Sequence, residues 1–171
     1  MILLGHGASG GSASMKPYVE GLRRRGVESG PVPPTGKLPT RAEKAAEVFR
    51  AMLLEHPGAI IGGHSYGGRV ASMVAADNGV PGLVLFSYPL HRPGRPEDLR
   101  TAHWPSIKCP VLLLSGESDP FARVDLLRES AGLLARAQLV TYPGVGHGLT
   151  RSPRTLDDAL DRVAEFARRV F

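Results

Sequence analysis

The chain has 171 residues, of which 42% are hydrophobic and 22% are charged. This length is enough for one domain with its own core, which we expect to span residues 1–171. The ordinary hydrophobic fraction excludes general disorder. The formal net charge of +5 comes mostly from scattered arginines, and no basic run is interleaved with aromatic residues. We therefore expect no nucleic-acid partner.

The sequence carries no sign of a membrane or export segment. No apolar stretch approaches the ~20 residues that a membrane-spanning helix needs. Met1 leads straight into an apolar run without a basic leader. The single Cys109 cannot form an internal disulfide, and we interpret it as a packing residue. A cytoplasmic protein without membrane contact is the resulting expectation.

Short apolar runs alternate with helical patterns, which is typical of a parallel sheet covered by helices on both faces. Five runs are predicted strands: residues 1–4, 59–61, 82–86, 111–114 and 138–142. A weaker strand near Val27 or Val32 is confined to a sheet edge, because prolines surround it. The prediction is an α/β fold with a mostly parallel sheet of five to six strands.

Helical patterns fill the gaps between these strands. Ser14 is placed to cap a helix that runs to Arg25, and Gly26 follows its end. Residues 40–43 (TRAE) form a capping-box sequence, which predicts a helix ending before His56. Further helices are predicted after residue 65, over residues 123–134, and from Ser152-Pro153 onward.

Residues 63–67 (GHSYG) match the nucleophile elbow, a strained strand-to-helix turn that exposes a serine hydroxyl above a sheet. An apolar strand precedes Ser65 and a helix-forming segment follows it, as the motif requires. Residues 7–11 (GASGG) match the same pattern, but glycines follow Ser9 where a helix should begin. We therefore predict Ser65 as the nucleophile.

A serine hydroxyl needs an imidazole to accept its proton and a carboxylate to orient that imidazole. Asp119 follows the predicted strand 111–114, and His147 lies in a glycine-rich loop after the next strand. We predict both as the partners of Ser65, since side chains at the carboxyl ends of parallel strands converge. Glu117 remains an alternative to Asp119. No metal or cofactor is expected.

The other histidines are weaker candidates. His64 is adjacent to the nucleophile and faces away from it, so we interpret it as a packing or hydrogen-bonding residue. His56 ends a helix. His91 and His103 lie on a connecting loop, where exposure is expected.

An oxyanion needs two hydrogen-bond donors. We predict the backbone N–H of Tyr66 as one donor and that of Ala8 as the other, with Ser9 as the alternative.

Tyr66 is also expected at the mouth of the site. The residues predicted to bind substrate are Ser9, Tyr88, Leu90 and Trp104. Arg92, Arg95 and Arg100 could favour acidic substrates by electrostatic steering.

The chain resembles the α/β-hydrolase superfamily, and within it the small dienelactone-hydrolase-like serine hydrolases. Residues 87–96 (SYPLHRPGRP), 99–101 and 119–121 look like a branch that includes testis-expressed and chromatin-complex hydrolase-like proteins. The resemblance implies the fold and assigns the triad to Ser65, Asp119 and His147.

The chain differs from the usual pattern of this superfamily in two places. The opening hairpin is missing, and residues 26–39 are shorter than the usual strand and loop. Only a short proline-rich segment separates residues 86 and 111, so no lid domain is expected.

These features predict hydrolysis of small carboxylic esters or thioesters by a monomer or homodimer. Three alternatives remain. Residues 5–10 (GHGASG) match a dinucleotide-binding fingerprint, but Gly11, Ser12 and Pro17 disfavour the helix that must start there. A hydrolase-shaped interaction module and an acyltransferase that uses the same serine are the other two.

Overall fold

A computed structural model describes residues 1–171. It contains one sheet of six strands, all parallel. The strands are β1 (Ile2–Gly5), β2 (Ser29–Val32), β3 (Ile60–His64), β4 (Leu83–Phe86), β5 (Val111–Gly116) and β6 (Ala137–Tyr142). Their order across the sheet is β2-β1-β3-β4-β5-β6. The prediction of a parallel sheet of five to six strands is confirmed.

Five α-helices connect the strands: α1 (Lys16–Arg24), α2 (Ala42–Glu55), α3 (Tyr66–Asp77), α4 (Val124–Ala131) and α5 (Pro153–Val170). Helices α1 and α5 pack on one face of the sheet, and α2, α3 and α4 pack on the other. Short 3-10 turns cover residues 12–15, 104–106 and 149–151. None of the helices combines the length and the apolar character that a membrane crossing requires.

The strand residues alternate between two cores, and this alternation fixes the layers. Leu3, Ile61 and Leu113 face α2, α3 and α4. Ile2 and Leu112 face α1 and α5. All five side chains are at most 1% exposed. Both faces are therefore covered, which explains why the strands are continuous apolar runs without a polar face.

Two predicted helix starts are wrong in detail. Ser14 lies inside a 3-10 turn and donates its hydroxyl to the carbonyl of Gly11, so it caps nothing. Helix α2 begins after Arg41 without any side-chain cap, although Thr40 was the predicted first residue of a capping box. Ser152, by contrast, accepts a hydrogen bond from the N–H of Thr155 and caps α5 as predicted.

The centre of the sheet is built on very close backbone contacts. A Cβ atom added to Gly67 in α3 would lie 2.2 Å from the carbonyl carbon of Gly5 in β1, and one added to Gly63 would lie 2.4 Å from the Gly5 oxygen. No side chain larger than hydrogen fits either position. Helix α3 therefore begins directly against the end of β1.

We expect Gly67→Ala to lower the free energy of unfolding by about 1–3 kcal/mol, because the new methyl group meets rigid backbone. Urea unfolding followed by circular dichroism measures this change. Gly79→Ala is the matched control, since a Cβ at Gly79 meets no atom within 4 Å. Equal stability of the two variants would contradict the proposed close packing.

Candidate active site

Ser65 connects β3 to α3 in a strained backbone conformation. Its φ is 50° and its ψ is −117°, in the left-handed half of the map that non-glycine residues rarely occupy. Two hydrogen bonds hold this conformation. The N–H of Ser65 donates to the carbonyl of Phe86 at 2.9 Å, and its own carbonyl accepts from the N–H of Arg69 at 3.0 Å. The turn projects the serine hydroxyl beyond the carboxyl end of the sheet.

The structure brings Ser65, His147 and Asp119 together in one hydrogen-bonded chain. The Oγ of Ser65 lies 2.8 Å from Nε2 of His147. The Nδ1 atom of the same ring lies 2.8 Å from Oδ2 of Asp119. A carboxylate only accepts hydrogen bonds, so Nδ1 carries the proton when the imidazole is neutral. Nε2 is then free to accept the hydrogen of the serine hydroxyl.

The two carboxylate oxygens of Asp119 have different hydrogen-bond partners, and only Oδ2 contacts His147. Its side chain is fully buried, and Oδ1 accepts a hydrogen bond from the N–H of Phe121 at 2.8 Å. The Phe121 ring packs against the His147 ring, with 4.5 Å between the centroids. The carboxylate and the aromatic ring together restrict the histidine from two sides.

The turn after β5 and the loop after β6 are joined through their backbones. A Cβ at Gly116 would lie 2.1 Å from the carbonyl oxygen of Val145, so only glycine permits this approach. The N–H of Ser118 donates to the same carbonyl at 2.9 Å. The two loops that carry Asp119 and His147 therefore form one unit.

Glu117, the alternative acid, faces away from His147. Its carboxylate accepts hydrogen bonds from the Thr141 hydroxyl at 2.7 Å and from the Arg128 guanidinium at 3.1 Å. The geometry thus favours Asp119 as the partner of the histidine.

His64 contacts the backbone of His147. Its Nε2–H donates to the His147 carbonyl at 3.1 Å, and the two rings pack with 5.2 Å between centroids. Burial lowers the pKa of His64, which keeps the ring neutral. The sequence indicated packing or hydrogen bonding at this position, but it did not identify His147 as the partner.

The loop after β1 is fixed by a buried histidine that the sequence reasoning missed. Nε2 of His6 accepts a hydrogen bond from the N–H of Leu38 at 2.6 Å. Its Nδ1–H donates to the carbonyl of Gly7 at 2.7 Å. The N–H groups of Ala8 and Ser9, which follow in this loop, donate to no protein atom. Both therefore remain available as donors beside the first N–H groups of α3.

A cleft of about 540 Å³ opens above Ser65. The loop after β1, the elbow, and the loops after β4, β5 and β6 line it. Predicted site residues in its walls are Ala8, Ser9, Ser65, Tyr66, Arg100 and His147. Other residues of the wall were not predicted as site residues: Thr40, His64, Arg69, Pro89 and Phe121. The expectation that His64 faces away from Ser65 is therefore wrong, because His64 lines the same cleft.

Residues 16–171 match the family described as the alpha/beta hydrolase domain. This chain belongs to the alpha/beta hydrolase family. Ser65, Asp119 and His147 all lie inside the matched range, whereas Ala8 and Ser9 precede it. The finer resemblance to dienelactone-hydrolase-like proteins stays a prediction.

Solved alpha/beta hydrolase structures share the fold at low sequence identity. A monoacylglycerol lipase from Paleococcus ferrophilus is 16% identical and superposes with a TM-score of 0.82, covering 99% of this chain and 94% of the lipase. Est1E from Butyrivibrio proteoclasticus is 18% identical with a TM-score of 0.79, covering 99% and 87% of the two chains. A thermophilic esterase from Thermogutta terrifontis is 18% identical with a TM-score of 0.76, covering 99% and 89%.

Three residues predicted to bind substrate are instead core residues of this alpha/beta hydrolase. Tyr88, Leu90 and Trp104 are each at most 1% exposed and do not line the cleft. The Tyr88 hydroxyl donates to the carbonyl of Arg100 at 2.6 Å, and its ring packs edge-on against Trp104. The loop after β4 folds back onto α3, so its large side chains point into the core.

His91 is likewise buried, although exposure was expected. Its ring Nε2 accepts from the backbone N–H of Arg123 at 3.0 Å, and the backbone N–H of His91 donates to the carbonyl of Phe121 at 3.0 Å. His91 thereby ties the loop after β4 to the turn that carries Asp119. His103, half-buried, donates a ring N–H to the Ser72 hydroxyl away from the cleft.

We expect His64→Phe to lower kcat on any ester by about 10–100-fold, because it keeps an aromatic ring but removes the donor to the His147 carbonyl. His64→Gln is the matched rescue variant, since a glutamine amide N–H can occupy the position of Nε2–H. Steady-state kinetics with p-nitrophenyl acetate measures both. If phenylalanine and glutamine reduce kcat equally while both variants remain folded, the hydrogen bond does not position the histidine.

Proposed function

We propose that this alpha/beta hydrolase is a serine hydrolase that cleaves small carboxylic esters or thioesters through an acyl-enzyme on Ser65. One observation carries the proposal: the unbroken hydrogen-bonded chain from the Ser65 hydroxyl through His147 to the buried Asp119, with 2.8 Å at each step. This chain supplies a nucleophile, a base and an orienting carboxylate in the geometry that acyl transfer requires.

In the first half of the reaction, the Ser65 oxygen attacks the carbonyl carbon of the substrate as its proton passes to Nε2 of His147. Asp119 stabilises the imidazolium that forms and remains ionised. The tetrahedral intermediate then collapses, and His147 donates the proton to the departing alcohol or thiol. The product at this stage is an ester between the acyl group and Ser65.

The negative charge that develops on the carbonyl oxygen needs donors already in place. The N–H of Tyr66, at the start of α3, is the first proposed donor, and the N–H of Ala8 is the second. The lack of any protein acceptor for the Ala8 N–H supports this role. In the second half of the reaction, His147 takes a proton from water as the water oxygen attacks the acyl carbon. The bond between the acyl carbon and the Ser65 oxygen then breaks, His147 returns the proton to that oxygen, and the carboxylic acid leaves.

The approach to Ser65 favours small or extended substrates with an accessible carbonyl. Residues 87–110, where many relatives of this fold place a lid, contain only one 3-10 turn. The large side chains Tyr88, Leu90, Trp104 and Ile107 of this segment pack into the core. Access is therefore through the cleft itself, whose volume of about 540 Å³ is within the usual size of a small-molecule site.

A fluorophosphonate probe tests the proposal directly, because it reacts with an activated serine far faster than with an ordinary serine. We expect labelling of the wild type and of Ser9→Ala, and no labelling of Ser65→Ala. Ser9 is the matched control, since it occupies the second match to the same motif and also lies in the cleft. Mass spectrometry of the labelled peptide identifies the residue.

Labelling that persists in Ser65→Ala would overturn the assignment of the nucleophile. Absence of labelling in a folded wild type would favour an interaction module. A screen of p-nitrophenyl esters of varied acyl length then defines the preferred acyl group.

We further expect Asp119→Asn to reduce kcat by about 10³–10⁴-fold, because an amide cannot stabilise the imidazolium and favours the wrong tautomer. Glu117→Gln should change kcat by less than about twofold, since Glu117 contacts Arg128 and Thr141 and not the histidine. Thermal unfolding of both variants controls for stability. A larger loss of kcat in Glu117→Gln would exchange the roles of the two acids.

A further inference from the structure

The cleft above Ser65 is lined by side chains of one charge sign. Arg69 and Arg100 are its only formally charged lining residues, and no carboxylate lines it. Asp119, the acid of the proposed triad, has a fully buried side chain that is hydrogen-bonded to His147. Both arginines also line an adjoining cavity that contains Asp77, but the Asp77 carboxylate is paired with Arg50. The cleft therefore has two positive charges in its walls and no negative charge of its own.

Both arginines are anchored by backbone that belongs to the site. Arg69 lies one helical turn after Ser65, and its N–H donates to the Ser65 carbonyl. Arg100 is fixed on both sides: its N–H donates to the carbonyl of Leu90 at 2.8 Å, and its carbonyl accepts from the Tyr88 hydroxyl at 2.6 Å. The buried Tyr88 and Leu90 thus hold Arg100 in place at the rim without contacting substrate.

The two guanidinium groups have no carboxylate partner. Neither arginine forms an ion pair, and the side chain of Arg100 reaches only the Pro89 carbonyl, at 3.4 Å. Arg95, in the same loop as Arg100 but outside the cleft lining, instead pairs with Glu97 and Asp98. Arg69 and Arg100 are also half-buried, so water screens their charges less than at a fully exposed position.

The two positive charges also act on one another. Partial burial lowers the pKa of Arg100, and the charges of Arg69 and then Arg92 lower it further. Guanidinium groups remain charged at neutral pH in any case. An anion placed between Arg69 and Arg100 would relieve this repulsion and would complete their hydrogen bonding.

We propose that Arg69 and Arg100 form a subsite for a carboxylate group of the substrate, so that the enzyme prefers esters or thioesters with a negative charge remote from the scissile bond. This inference rests on the proposed function, because it concerns the substrate of the same serine. Guanidinium groups bind carboxylates by paired hydrogen bonds, which fix orientation as well as charge. The carboxylate belongs to either the acyl half or the leaving half of the substrate.

Two pairs of esters distinguish a carboxylate on the acyl half from a carboxylate on the leaving half. Mono-p-nitrophenyl adipate carries a carboxylate on the acyl half, and its methyl ester is the neutral match. 4-Acetoxybenzoate carries a carboxylate on the leaving half, and methyl 4-acetoxybenzoate is its neutral match. The quantity measured is the ratio of kcat/KM for the anionic ester to kcat/KM for its neutral match. An effect of a substitution on the chemical step changes both values equally and therefore cancels in this ratio.

We expect this ratio to fall by about 10-fold or more in Arg69→Gln and in Arg100→Gln for at least one pair, because each variant removes a charged hydrogen bond. The affected pair identifies the half that carries the carboxylate. Arg136→Gln is the matched control. It removes the same charge from an exposed position just before β6, at the opposite end of the strands, and should leave both ratios unchanged.

Unchanged ratios in the double variant Arg69→Gln/Arg100→Gln, for both pairs, would overturn the subsite. An equal fall in Arg136→Gln would also overturn it, because the effect would then come from net charge alone. Failure of the proposed function is distinguishable from either result. In that case even the neutral esters would show no hydrolysis that depends on Ser65.

Discussion

The structure depends on the close approach of α3 to the end of β1, where Gly67 and Gly63 contact the backbone of Gly5. This approach brings the first turn of α3 and the loop after β1 to the same point above the sheet. The proposed nucleophile, Ser65, and both proposed oxyanion donors lie there. The strained backbone of Ser65 persists because it is surrounded by these contacts and by its hydrogen bond to Phe86. Packing energy in the centre of the sheet thus supports an unfavourable conformation at the site.

His147 is positioned by three residues from two elements that are distant in the sequence, the end of β3 and the turn after β5. Asp119 binds its Nδ1, His64 binds its backbone carbonyl, and Phe121 packs on its ring. Each contact comes from the carboxyl end of a parallel strand, either from its last residue (His64) or from the turn that follows it (Asp119 and Phe121). Because all the strands run in the same direction, these loops meet at one edge of the sheet. The histidine is therefore oriented before a substrate arrives, which is the condition for efficient proton transfer.

Two buried histidines stabilise the long loops around the site in the same way. The rings of His6 and His91 each face the carbonyl of the following residue with Nδ1 and accept a distant backbone N–H with Nε2, from Leu38 and Arg123 respectively. Each ring satisfies one backbone donor and one backbone acceptor that the loop would otherwise bury unpaired. The loops after β1 and β4 thus keep a defined shape although each contains only one short 3-10 turn, and the open cleft retains fixed walls.

Local patterns in the sequence predicted the strands, the elbow at Ser65 and the alternation of strands and helices, because strand and helix periodicity depends on near neighbours. The order of Ser65, Asp119 and His147 along the chain could also be predicted, since each follows a recognisable strand. Burial within the loops could not be predicted. Tyr88 and Trp104 look the same in sequence whether a loop folds onto α3 or faces solvent. Whether Asp119 or Glu117 contacts His147 depends on the direction of a single turn. Only the tertiary structure decides these points, because they depend on contacts between segments that are far apart in the chain.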